Sequence, residues 1–276
     1  MPDHGGNKDA LDACQGGIRG VRPFSVAISG KGGTGKTTVA ALLVRSLISA
    51  GQVPVLAVDA DPNANLHEAL GVEIQETLGS LREEAFTQQI PPGMNRRDYI
   101  SLCFRKSLVE AKGFDLIAMG RPEGTGCYCF ANNLLTTSMQ LLERDYRFVV
   151  IDNEAGMEHL ARGTIGIPDL FLVVSDPGVR GIRTAARIRN LARSLGLGTV
   201  PVILVLNRWK GTPLDNLPAV FGKPVLVPED PAVESADIEG SPVASLPPGS
   251  TALAAIEQLA ETIIRMAVEK DRVSPP

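Results

Sequence analysis

Gly30-Lys31-Gly32-Gly33-Thr34-Gly35-Lys36-Thr37-Thr38 follows the apolar run Phe24–Ser29 and leads into Val39-Ala40-Ala41-Leu42-Leu43-Val44. A strand, a glycine-rich turn and a helix start in that order are the setting a phosphate-binding loop requires. Glycines at 30, 32, 33 and 35 permit positive φ and leave backbone N–H groups free to converge on one phosphate. Lys36 adds a point charge at the β/γ-phosphates, and the Thr37 hydroxyl suits Mg²⁺. A helix opening near Thr37 turns its positive end to the same anion.

The loop sits in a chain of 276 residues, 44% apolar and 21% charged, which places it among globular proteins. A formal charge of −4 gives no global pull towards nucleic acid or anionic lipid, so neither is expected as a partner. The first residues lack an apolar signal core and no later run reaches membrane-spanning length, so the expected address is cytoplasmic. Four cysteines (Cys14, Cys103, Cys127 and Cys129) are too few for a disulfide scaffold. Residues 1–22, rich in Gly and Asp, read as a disordered extension, and 23–276 as a single domain.

A helix from about Thr37 to Ala50, closed by Gly51, returns the chain roughly 21 Å, and a strand over Val53–Asp59 recovers about 23 Å. Asp59-Ala60-Asp61-Pro62-Asn63-Ala64-Asn65 therefore lies beside the phosphate loop. Two carboxylates next to an anion need a cation or a water between, so Asp59 and Asp61 are assigned to Mg²⁺ and the attacking water. Simple capping of the next helix is the plainer alternative. Val72–Gly113 is expected to dress the sheet edge, with a short edge strand over Tyr99–Phe104 and Cys103 as apolar filling.

Further strands are predicted at Phe114–Met119, Arg147–Ile151, Asp169–Val174, Val202–Leu206 and Pro224–Val227. Helices are predicted at about Ala131–Arg144, Val179–Leu195 and Thr251–Lys270, the last burying Leu253, Ile256, Leu259, Ala260, Ile263 and Val268. Asp152 closes an apolar strand as a Walker B carboxylate does, and Gly156 lets a following switch loop move. Strands alternating with helices throughout give an α/β fold: a doubly wound, mainly parallel sheet with helices on both faces.

Lys31, a second lysine just after the first glycine, and Asp59-Ala60-Asp61-Pro62 after the second strand resemble the deviant Walker A ATPases. That group includes the nitrogenase iron protein and the MinD-like and ParA-like partitioning ATPases. The resemblance implies a homodimer in which Lys31 acts in trans on the partner's nucleotide, with the electrostatic logic of an arginine finger.

Cys127-Tyr128-Cys129 offers two thiolates on one face of an extended segment, half of a tetrahedral thiolate site that a two-fold dimer would complete. Zinc, nickel and copper(I) suit such ligands alike. Gly120–Cys129, Asp59–Leu66 and Asp152–Leu160 together resemble the CooC-type ATPases, accessory proteins for nickel insertion into carbon monoxide dehydrogenase, over about Phe24–Lys270.

This implies an Mg²⁺-dependent ATPase that dimerises and binds nickel, or zinc in its place, through paired Cys127 and Cys129 for a nickel enzyme. Carried over by position, Gly32, Gly33, Thr34, Gly35, Lys36, Thr37 and Thr38 hold phosphate, and Thr37, Asp59 and Asp152 serve magnesium. Asp61 positions the water, Asn207 reads the adenine from its strand end, and Pro228-Glu229-Asp230 forms the second adenine-side loop. His159 reads as a surface or switch histidine rather than a ligand.

The rivals are an accessory ATPase for acetyl-CoA synthase and a partitioning ATPase. The latter draws on Arg180, Arg183, Arg187 and Arg193, a run more usual on a solvated face. The charge-balanced tail Glu269–Pro276 lacks the basic amphipathic character of a membrane helix.

Overall fold

Strand β1 (Phe24–Gly30) is buried at every position, because it has a neighbour strand on each side and a helix layer on each face. The computed structural model describes residues 22–80, 93–121, 145–154, 166–211 and 217–273. After β1 come α1 (Lys36–Ser49), β2 (Val55–Asp59), α2 (Leu66–Leu70), α3 (Arg96–Ser107), β3 (Leu108–Ala111) and β4 (Phe114–Ala118). They are followed by β5 (Phe148–Asp152), β6 (Leu170–Ser175), α4 (Val179–Ala192), β7 (Val202–Trp209), β8 (Val225–Pro228), α5 (Pro231–Glu239) and α6 (Thr251–Val273).

These strands make one sheet in the order β3-β4-β2-β5-β1-β6-β7-β8. All pairs are parallel except β3–β4 at the edge. This is the doubly wound, mainly parallel sheet that the alternation of strands and helices predicts. Alternate β1 residues serve opposite faces: Val26 and Ile28 join the core under α1 and α6, while Ala27 joins the one under α4. α1 is apolar almost all round because it is packed between the sheet and α6.

The edge was misread from sequence. Tyr99–Phe104 is not a strand but lies within α3, where Tyr99 and Phe104 are buried. Asn95 starts that helix by accepting a hydrogen bond from the Asp98 N–H at 2.9 Å. The edge strand is the next segment, β3, and α5 is a further helix absent from the sequence reading. On α6, Ala267 is buried and Val268 is exposed, one position from where the apolar stripe was placed. The predicted helix at Ala131–Arg144 lies outside the described residues.

The strand order reverses at β1, whose partners β5 and β6 lead to opposite halves of the sheet. A crevice at the carboxyl ends of strands at such a switch point is where doubly wound folds take ligands.

Candidate active site at the carboxyl edge of the sheet

Only part of the expected backbone freedom is used in the loop. Gly33 and Gly35 adopt φ of 79° and 86°, whereas Gly30 remains extended within β1. Gly30 is required for space instead, since a Cβ there would come within 2.3 Å of the Val174 carbonyl on β6. α1 opens after Gly35 with no side-chain cap and no acid in its first turn, so its N-terminal N–H groups are free for an anion. Lys36 is buried and Lys31 is exposed, which puts the two loop lysines in different environments.

A side chain of the loop itself and two from β7 hold it in shape. Thr34 is buried and donates its hydroxyl to the Lys31 carbonyl at 2.8 Å. The Asn207 amide donates to the Thr34 carbonyl at 2.9 Å, and Arg208 donates to the Gly33 carbonyl at 3.0 Å. Arg208 holds a positive φ of 55° and pairs with Asp176 at 3.6 Å. β7 runs on to Trp209, so Asn207 lies inside its strand rather than at the end.

Asp59 and Asp152 end β2 and β5 in direct register, and Asp152 also pairs with Ile28 of β1. The carboxylates thus meet beside the loop, as the helix-and-strand path length requires. Thr37 donates its hydroxyl to Asp152 Oδ2 at 2.6 Å, while Asp152 Oδ1 is buried without a partner among the described residues. Burial, with Asp59 and Asp61 nearby, pushes the Asp152 carboxyl up to about 7 against the pull of Thr37 and Lys36.

Asp59 accepts the N–H groups of Leu66 at 2.8 Å and Asp61 at 3.1 Å, so it does secure the following turn and helix. Burial nevertheless lifts it to about 6. An open buried carboxylate oxygen beside a threonine hydroxyl suits a hard, oxygen-liganded cation such as Mg²⁺, which takes one or two carboxylates and completes its shell with phosphate and water. Consistent with that partial shell, no group of three or more His, Cys, Asp or Glu among the described residues forms an all-protein metal site.

Asp61 lies at the rim, half-buried, with Oδ1 accepting the backbone N–H of Asn63 at 2.8 Å and its amide at 2.9 Å. Asn63 Oδ1 in turn accepts from Arg121.

On the other side of Thr37 and Thr38 opens a cavity of about 630 Å³, lined among others by Asn65, Glu68, Asn207, Arg208, Pro228 and Asp230. Pro228 and Asp230 therefore reach the cleft. The Asp230 carboxylate, however, is occupied by the protein. Oδ1 accepts the Ala232 N–H at 2.9 Å, opening α5, and Oδ2 accepts the Ala252 N–H at 3.0 Å and the Ser250 hydroxyl at 2.7 Å, opening α6. Burial alone would raise this carboxyl; those bonds, with Thr251, hold it below its usual value.

Sequence reasoning missed Thr34 as an internal brace, Arg208, the Asn63–Arg121 pair and Asn153. Asn153 is buried and donates to the Ile28 carbonyl at 2.9 Å, and its Oδ1 is without a partner among the described residues. A polar residue directly after a strand-terminal aspartate was its only signal. Cys127, Cys129, Gly156 and His159 lie outside the described residues, and so does the side chain of Cys103.

The fold and this cleft define a nucleotide-binding P-loop protein. The CobQ/CobB/MinD/ParA nucleotide binding domain matches residues 25–243, and the chain belongs to that family; it is an ATPase of the MinD/ParA class. It is 41% identical to an uncharacterized ATP-binding protein of Methanocaldococcus jannaschii over 87% of this chain and 98% of that one. It is 38% identical to the carbon monoxide dehydrogenase accessory protein CooC of Rhodospirillum rubrum over 64% of this chain and 72% of that one.

Among solved structures it is similar to the septum site-determining protein MinD of Pyrococcus horikoshii complexed with Mg-ADP. That match has a TM-score of 0.65 and 24% identity, covering 89% of this chain and 97% of that one. Among the described residues no helix is long and apolar enough to cross a membrane.

Proposed function

We propose that the chain is an ATP-dependent metallochaperone. It closes as a homodimer on nucleotide, takes nickel, or zinc in its place, and delivers it to apo carbon monoxide dehydrogenase or a related nickel enzyme. The observation that carries this reading is the likeness to the CooC protein at 38% identity in a chain that also contains Cys127-Tyr128-Cys129. Two copies of that motif supply the four thiolates a tetrahedral cargo site wants.

In the ATPase cycle the first turn of α1, with Gly32, Gly33, Thr34, Gly35 and Thr38, cradles phosphate, and Lys36 supplies charge at the β/γ bridge. Thr37 and Asp152, with Asp59 behind them, would hold magnesium, which would supply positive charge beside the phosphoryl oxygens. Asp61 orients the attacking water. Lys31 crosses to the nucleotide of the other subunit, a role its exposure leaves open to it. On the base side the Asn207 amide reads the adenine with the groups not engaged by Thr34, and Pro228 walls the cavity. Asp230 contributes by fixing that wall.

The test is metal stoichiometry and mass of the purified, reduced protein, with and without ATP. About one Ni²⁺ or Zn²⁺ per dimer is expected, lost in Cys127→Ser with Cys129→Ser. Unchanged metal binding in the double variant sinks the metallochaperone reading and leaves the ATPase standing. Full ATPase activity in Lys31→Ala removes the trans lysine.

A MinD/ParA-like positioning role is the second reading, favoured by the exposed Arg180, Arg183 and Arg187 on α4, none in an ion pair among the described residues. Salt-sensitive DNA binding that fails on their replacement by Ala would favour it.

A further inference from the structure

We infer that Arg121 is a positioning residue for ATP hydrolysis, acting on Asp61 through Asn63. The inference rests on the reading of Asp61 as the carboxylate that orients water. Its basis is a chain of three side chains joining the end of β4 to the turn after β2. The Asn63 amide donates to Asp61 Oδ1 at 2.9 Å, and its carbonyl oxygen accepts from the Arg121 guanidinium.

Chemistry fixes the direction of this chain. A guanidinium can only donate, and an ionised carboxylate can only accept. With Arg121 on one side and Asp61 on the other, the Asn63 amide has a single satisfactory orientation, Oδ1 towards arginine and Nδ2 towards aspartate. Without Arg121 the amide loses its anchor on the Oδ1 side, so the exposed side chain is free to swing away and the Nδ2 bond, one of the two on Asp61 Oδ1, is loosened. The second carboxylate oxygen, Oδ2, carries no hydrogen bond among the described residues. Fixing Oδ1 from the Asn63 side therefore aims Oδ2, the oxygen left for water.

The base of Arg121 is itself held firmly, as a lever needs. Met119 donates its N–H to the Asp59 carbonyl at 2.8 Å and accepts the Gly79 N–H at 2.8 Å. Gly120 adopts φ of 62° against Thr77, where a Cβ would come within 2.4 Å of the threonine hydroxyl. Thr77 is braced in turn, its Oγ1 accepting the Ser80 N–H at 3.1 Å and its N–H donating to Ser80 Oγ at 2.9 Å. Arg121 thus extends from a strand end tied directly to the backbone of Asp59. In sequence only Pro122–Gly126 separates Arg121 from Cys127.

The bond is exposed and adds little to stability, so its effect falls on geometry in the reacting state. Steady-state ATPase kinetics of the full chain with saturating Mg²⁺ test it. Arg121→Ala is expected to lower kcat about tenfold with KM for ATP unchanged, as misorientation of a catalytic group does. Arg121→Lys, which also only donates, recovers most of the loss. Asn63→Ala matches Arg121→Ala, and the double variant is no slower than either single one. Full kcat in Arg121→Ala, a rise in KM in place of a fall in kcat, or additive losses in the double variant overturns the relay. Asp61→Asn measured in parallel separates the two readings. If it keeps full turnover, the role of Asp61 itself falls; if it loses turnover while Arg121→Ala does not, the relay alone falls.

Discussion

At the phosphate end of the cleft, Asp152 is almost completely buried and keeps one oxygen without a partner among the described residues. At the base end, both oxygens of the less deeply set Asp230 are taken up by the caps of α5 and α6. The electrostatic consequences run opposite ways. Desolvation outweighs the hydrogen bond on Asp152 and lifts its carboxyl to about 7, whereas the bonds to Asp230 outweigh desolvation and hold it low. One carboxylate is destabilised until something arrives to meet it; the other is satisfied by the fold alone. Asp152 ends β5 and Asp230 follows β8 by two residues to open α5, and both depth and hydrogen-bond partners separate them.

Removing charge at the phosphate end has the largest expected effect. Lys36→Ala should lower ATP turnover at least about a hundredfold, the scale on which loss of a positioned electrostatic group acts. The melting temperature of the nucleotide-free protein should not fall, because Lys36 makes no ion pair among the described residues. The phosphate-release assay and a thermal melt read the two quantities separately. Asp230→Ala should do the reverse. Two caps are lost at once, costing roughly 2 kcal/mol or more, while kcat changes little and KM for ATP rises only a few-fold. A urea melt that shows no loss in Asp230→Ala would mean that its carboxylate does not hold the starts of α5 and α6.

These two carboxylates also mark what a sequence discloses. The doubly wound sheet was legible because its central strands are apolar on both faces, and the loop because glycine, lysine and threonine keep fixed spacing between a strand and a helix. Asp59 was legible by counting residues along helix and strand, and Asp152 as the carboxylate that closes an apolar strand. Pro228-Glu229-Asp230 was read as an adenine-side loop; Pro228 and Asp230 line the cavity, and the Asp230 carboxylate caps two helices. Asp230-Pro231 carries the local signature of a helix N-cap with proline at the first helical position.

The Tyr99–Phe104 error has a similar source. Asn95 three residues before Asp98 is a helix start, and the short apolar run after it looked strand-like in isolation. No local pattern would have joined Arg121 to Asn63 or Arg208 to Gly33, because 58 and 175 positions separate the partners. Such contacts are made by topology.

The smallest expected effect is also the most discriminating, because it concerns protons. In the metal-free protein the carboxyls of Asp59 and Asp152 are raised from 3.8 to about 6 and about 7, so folding favours their protonated forms. Their stabilising contribution is complete below about pH 4 and is lost as pH rises through 6 to 7. Asp230 has the opposite sign, its contribution being present above its unfolded value and lost only in acid. Between pH 5 and 8 the two carboxylates at the phosphate end therefore set the trend they contribute. Melts in chelator should show stability declining across that window, and Asp152→Asn should flatten the decline while melting higher at pH 8. Mg²⁺ with nucleotide should also flatten it, since a cation replaces the proton on the open oxygen. Equal slopes in wild type and Asp152→Asn would mean that Asp152 is as well satisfied as Asp230, and the contrast between the two ends of the cleft would have to be abandoned.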